Sequence, residues 1–195
     1  TLPSVDLSYP EQDNDRIRRN ETINHLVAAG YSEVINYSFC SQKHSEMMRL
    51  DEGDLRRKVV SLLNPLSEEQ SVMRSMLVPS LLENVKRNIS YQKTAIKLFE
   101  MGKVFSPTDE STLPVERHRL AGVVSGNIHG ESSAYHFKSQ PADILDVKGT
   151  VEHLMTGLRL MGINGSNSIK FAIPDENEVE KYTVAEQSLL LKADD

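Results

Sequence analysis

The clearest periodic pattern in the chain runs through residues 77–89, where Leu77, Leu81, Leu82, Val85 and Ile89 recur at helical spacing with Glu83, Lys86 and Arg87 on the other side. Pro79 suits the first turn of that helix, where a missing N–H costs nothing. Asn64-Pro65 upstream is a turn signal, because proline fixes its own φ and drives the preceding residue out of the α region. Ile96, Leu98, Phe99, Met101, Val104 and Phe105 are interleaved with Lys97, Glu100 and Lys103, so residues 94–105 read as a strand, or as a hairpin pivoting near Gly102.

Further elements follow from the same reasoning. Residues 13–30 open on an acidic capping segment, carry Ile17, Ile23, Leu26 and Val27, and stop at Gly30, a natural end for a first long helix. Residues 33–39 alternate, setting Ile35, Tyr37 and Phe39 against Val34, Asn36 and Ser38, which predicts a strand with one aromatic and apolar face. A short helix is expected at 41–50 and a strand at 56–63. A proline-bearing loop follows at 106–116, then a strand at 118–126 centred on Leu120, Val123 and Val124, and a glycine- and serine-rich loop at 126–140. Residues 143–162 place Ile144, Val147, Val151, Leu154, Met155, Leu158 and Met161 at helical spacing, although Gly149 and Gly157 each weaken that helix by about 1 kcal/mol relative to alanine. Residues 168–173 read as a strand. So does the apolar run at 189–191, whose partners are expected to lie beyond the chain.

Several consecutive strands without crossover helices point to an α+β class: a mostly antiparallel sheet flanked by helices. A length of 195 residues suits a single domain over 1–195, with 1–12 as a leading segment and 174–195 as an end cut from a longer polypeptide. The formal net charge of -6 has the wrong sign for a chain that mainly neutralises nucleic-acid phosphates, so any RNA contact would be local. The single cysteine, Cys40, has no internal disulfide partner and suggests a reducing compartment, hence cytoplasm. No stretch approaches the roughly 20 apolar residues of a membrane-spanning helix, and no signal-peptide pattern opens the chain.

Five phrases carry a family resemblance: EVINYSFCS at 33–41, NPLSEEQSVMRSMLVPSLLENVKRN at 64–88, LFEMGKVF at 98–105, RLAGVVSGN at 119–127 and ILDVKGTVEHLM at 144–155. In content, order and spacing they resemble the β subunit of bacterial phenylalanyl-tRNA synthetase, over about residues 10–195. The resemblance implies the antiparallel-sheet fold shared by class II aminoacyl-tRNA synthetases and biotin ligases. It also implies a non-catalytic assembly role. The β subunit pairs with a catalytic α subunit as an αβ heterodimer doubled into a heterotetramer, and the complete enzyme joins phenylalanine to tRNA using ATP and magnesium. Editing, the β-subunit magnesium site and anticodon contact are assigned in this family to other β-chain domains.

Catalytic members of the fold carry an arginine and a glutamate in a second motif and a glycine-rich arginine helix in a third. The equivalent of the second motif here reads Lys97-Leu98-Phe99-Glu100, without the arginine, and no GxGxxR segment occurs. Lacking a guanidinium fork for the α-phosphate, adenylation would lose its main electrostatic support, so no catalytic or cofactor-binding residue is assigned. Two residues remain candidates for interface or relic-site roles. Arg74 is one, as a contact to a phosphate or a partner carboxylate, or else as an anchor of its own loop to a carbonyl or an acid. Glu100 is the other, as a relic or as a hydrogen-bonding strand residue. A free-standing amino-acid- or adenylate-binding paralogue of the fold is the alternative reading.

Other chemistry finds little support. Gly122, Gly126 and Gly130 leave a strand for a polar loop and lack the lysine that opens a phosphate-loop helix. The six histidines form no HExxH or compact cluster, and His129 and His136 are too far apart for a local ligand pair, so no metal site is assigned. Arg16, Arg18 and Arg19, and Arg56, Arg57 and Lys58, form two basic groups that suit tRNA, an acidic partner or plain solvated faces.

Overall fold

A computed structural model describes residues 13–108, 113–130, 135–160, 169–175 and 177–193. Helix α1 (Asn14–Ala28) starts at Asp13, whose carboxylate accepts from the Arg16 N–H at 3.0 Å, and stops before Gly30 at φ +85°, a backbone conformation that favours glycine. After β1 (Ser32–Glu33), β2 (Phe39–Cys40) and the short α2 (His44–Met47) come β3 (Val72–Met73) and α3 (Val78–Ser90). Strands β4 (Ile96–Ser106) and β5 (Val115–Ser125) pair antiparallel along their whole length, from Ile96 opposite Ser125 to Ser106 opposite Val115. β1 joins the other side of β4 in parallel, giving the order β1-β4-β5. Helix α4 (Ile144–Gly157) begins with a capping box between Asp143 and Asp146.

The core lies on one face of this sheet, where Leu26, Tyr31, Phe99 and Leu154 pack together and Ile23, Ala29 and Leu158 close around them. Helices α1 and α4 meet over it. Gly157 permits their approach, since a Cβ there would enter the His25 ring, which also meets the His153 ring edge-on at 5.6 Å. Helix α3 packs against β4 and β5.

Several expectations are corrected. Of the two readings of residues 94–105 the strand holds and the hairpin does not, since Gly102 sits inside β4, and β5 begins at Val115, opposite Ser106, rather than at 118. The strand expected over 33–39 breaks after Glu33. Its inward position is Asn36, while Ile35 and Tyr37 are 88% and 70% exposed, the reverse of the alternation forecast. The cause is Glu100 of β4, whose carboxylate, rather than a main-chain carbonyl, accepts from the Asn36 N–H. Residues 56–63 form no strand: Leu55–Arg57 is a 3-10 turn capped by Asp54, and only Ser61 bridges to Val72. The buried side of α3 is turned from the one expected, with Leu77, Pro79, Ser80 and Leu81 inside and Leu82 and Ile89 exposed. The run at 189–191 has its partner within the chain, because β7 (Leu190–Ala193) pairs antiparallel with β6 (Ile169–Ala172). Part of the loop at 126–140 and the last residues of the helix expected to 162 lie outside the described residues.

Candidate functional site

Glu100 and Arg74, 26 residues apart in sequence, meet on the face of the sheet opposite the main core. Arg74 leaves the end of β3 with its main chain fixed on both sides: its N–H donates to the Ser38 carbonyl and its own carbonyl accepts from the Phe105 N–H, both at 2.9 Å. Its Nη1 donates to Glu100 Oε1 at 2.5 Å and its Nε to the Lys103 carbonyl at 2.9 Å. Both side chains are under 5% exposed. Glu100 is further held by Asn36, which donates its Nδ2 to Oε2 at 2.8 Å and its backbone N–H to Oε1 at 3.3 Å. Asn84 of α3 donates in turn to Asn36 Oδ1 at 2.9 Å. Gly102 makes room for this arrangement, because a Cβ there would collide with Nη2 of Arg74. A buried charge pair is tolerated when further hydrogen bonds complete its lone pairs, and here four segments supply them.

Beside this network opens a cavity of about 1420 Å³, between the β1–β2 connection, α2 and α3. Asn36 and Asn84 line it together with Arg87 and a His44–Glu83 contact of 3.1 Å. Cys40 lines it as well, and its thiol is pushed up to about 11, first by burial and then by the negative charge of Glu83, with Arg74 opposing. A thiol so protonated is not a nucleophile near neutral pH. Among the described residues no group of three His, Cys, Asp or Glu side chains is placed to hold a metal ion.

The structure brings the two candidates Arg74 and Glu100 together, with Arg74 anchoring its own loop. It also accounts for most of the second basic group. Arg56 is held by Asp54 and, across the chain, by Glu180 through contacts of 2.6–3.2 Å, and Arg57 donates to the Leu50 carbonyl at 2.8 Å. The Arg56 guanidinium keeps the Asp54 carboxyl below its ordinary range. Asn36, Asn84 and the His44–Glu83 contact escaped sequence reasoning. The one available signal was a polar Asn36 between two apolar residues in a strand-like run, which reads equally well as the solvent side.

Comparison with known proteins gives a consistent result. A family model described as the phenylalanyl tRNA synthetase beta chain CLM domain matches residues 1–186. The phenylalanine–tRNA ligase beta subunit of Desulfotalea psychrophila is 51% identical over 97% of this chain and 23% of its own length. That of Syntrophotalea carbinolica is 39% identical over 78% of this chain and 19% of its own. The chain thus spans about a fifth of the length of these curated relatives. Among solved structures, the pyrrolysyl tRNA synthetase PylSc of Desulfitobacterium hafniense superposes with a TM-score of 0.56 at 12% identity, covering 82% of this chain and 48% of that one. A histidine–tRNA ligase subunit from Alicyclobacillus acidocaldarius gives 0.53 at 15% identity, with 88% and 44% covered. At such identities these structures establish the shared fold alone.

Proposed function

The chain belongs to the phenylalanyl-tRNA synthetase β-chain family, and on that premise we propose that this domain is a non-catalytic scaffold of the β subunit, supporting a catalytic α subunit that charges tRNA with phenylalanine. The proposal takes 1–195 as one domain of a longer chain, working in the cytoplasm within an αβ heterodimer doubled to a heterotetramer. The observation that carries it is the engagement of Arg74. Its guanidinium is bound to Glu100 and to the Lys103 carbonyl inside the sheet's own frame, and so braces the fold rather than offering a fork to a triphosphate. ATP and magnesium belong to the complete enzyme. For ATP the residues of this domain are a poor fit, since the second-motif position lacks the arginine that would hold the α-phosphate. The reading as a free-standing adenylate-binding paralogue is disfavoured, because the matched relatives are β subunits.

Two measurements test the proposal. The longer parent polypeptide, co-expressed with a catalytic α subunit, is expected to co-purify in equal proportion. Titration calorimetry of this domain with ATP and with phenylalanine is expected to show no binding tighter than the millimolar range. Micromolar affinity for either ligand, or failure to associate with α, would overturn the scaffold assignment.

A further inference from the structure

The face of the sheet that carries Glu100 holds more positive charge than its one carboxylate balances. In the β4–β5 register Arg119 stands opposite Gly102 and Arg117 opposite Val104. Directly opposed residues of an antiparallel pair project from the same face with Cβ positions about 4.5–5.5 Å apart. The missing side chain of Gly102 is replaced there by the Arg74 guanidinium, so the guanidinium and the Cβ of Arg119 occupy neighbouring positions on this face of the sheet. Glu116 does not intervene: it lies at the next position along β5, on the other face, where it pairs with Lys103 at 2.6 Å. Arg117 and Arg119 are exposed and have no acidic partner among the described residues.

Arg74 adds a second, independent feature. Its Nε and Nη1 are engaged, whereas Nη2 makes no hydrogen bond among the described residues. No fully buried side-chain nitrogen or oxygen there lacks a partner, so Nη2 is not fully buried, although the side chain as a whole is only 4% exposed. Arg74 offers no free fork, but its remaining Nη2 is a fixed, charged donor beside two arginines without an acidic partner among the described residues, an arrangement that suits one oxygen of a carboxylate or a phosphate, and Glu100 holds the guanidinium against its neighbours' repulsion.

We propose that Arg74 Nη2, Arg119 and Arg117 form a binding site for a single oxyanion, a carboxylate or phosphate group, on the sheet face over Gly102. The site is independent of the scaffold assignment: one oxyanion held at millimolar strength does not amount to an ATP site.

The test is an NMR titration of the arginine Nε–Hε signals of the full 195-residue chain. Sodium phosphate and sodium acetate serve as probes in separate arms, with sodium chloride holding ionic strength constant. Saturable movement of the Arg74 and Arg119 signals is expected in at least one arm. Phosphate alone identifies a phosphate receptor, and acetate, alone or more strongly, a carboxylate receptor. Arg119→Gln is expected to weaken binding roughly tenfold or more, as for loss of a charge-assisted hydrogen bond, while the Arg74 signal of the unliganded variant keeps its position. Arg18→Gln, on α1, is expected to change nothing. Absence of saturation in both arms, an equal response to chloride, or unchanged binding in Arg119→Gln would overturn the proposal.

Discussion

Glu100→Ala removes the acceptor of three donors at once: Arg74 Nη1, the Asn36 N–H and Asn36 Nδ2. The side chain left behind is a guanidinium only 4% exposed. Deleting one member of a buried ion pair costs about 3–5 kcal/mol, because the surviving charge keeps its desolvation penalty without its partner. Against a total stability of about 5–15 kcal/mol for an ordinary domain, that is a large share. Urea denaturation followed by circular dichroism is expected to show a loss in this range with an unchanged slope. Glu100→Gln, which keeps an acceptor but not the charge, should fall in between and remain measurable if the alanine variant does not fold. The double replacement Arg74→Met with Glu100→Leu, which removes both charges, should lose less than Glu100→Ala alone. A loss below about 1 kcal/mol for Glu100→Ala, the scale of an exposed ion pair, would refute the reasoning that this pair is buried and structurally indispensable.

Other substitutions probe the same architecture. Gly102→Ala should displace the Arg74 guanidinium and destabilise the chain by about 1–3 kcal/mol, the usual cost of overpacking, whereas Gly149→Ala, with open space around it, should stabilise α4 by up to about 1 kcal/mol, both read as shifts in urea midpoint. Cys40 is expected to resist iodoacetamide at pH 8 in the folded chain and to react on unfolding. Because its folded value is raised from 9.0 to about 11, the protonated thiol contributes stability that is complete below pH 9 and lost as pH rises towards 11, by about 2–3 kcal/mol relative to a Cys40→Ala chain. Glu180→Gln should loosen the segment held by Arg56, seen as faster hydrogen exchange at residues 177–183 with the β4–β5 pair unaffected.

The helices α1, α3 and α4 were legible because their signals are local: Asp13 and Gly30 bound the first, Pro79 opens the second and Asp143 caps the third. The long β4–β5 pair was half legible. Its apolar residues announced strands, but Gly102 looked like a pivot, since nothing near it in sequence reveals that Arg74 fills its side-chain position. The inverted alternation at 33–39 was illegible for the same reason: the acceptor for Asn36 lies 64 residues away. Arg74 and Glu100 were both singled out on chemistry, but their pairing depends on the β3–β4 geometry, which no periodicity encodes.

The way Asn36 is held sets how this region can change over evolution. Because main-chain bonds hold the 34–38 connection only at Val34 and Ser38 while the Glu100 carboxylate holds its middle at Asn36, positions 36, 74, 84, 100 and 102 form one block whose residues depend on one another. A lineage that loses the arginine at 74 is free to place a larger residue at 102, and its acid at 100 is left with Asn36 alone. A lineage that keeps the arginine is bound to glycine at 102. Co-variation at these five positions is therefore the trace this sheet face should leave in related sequences.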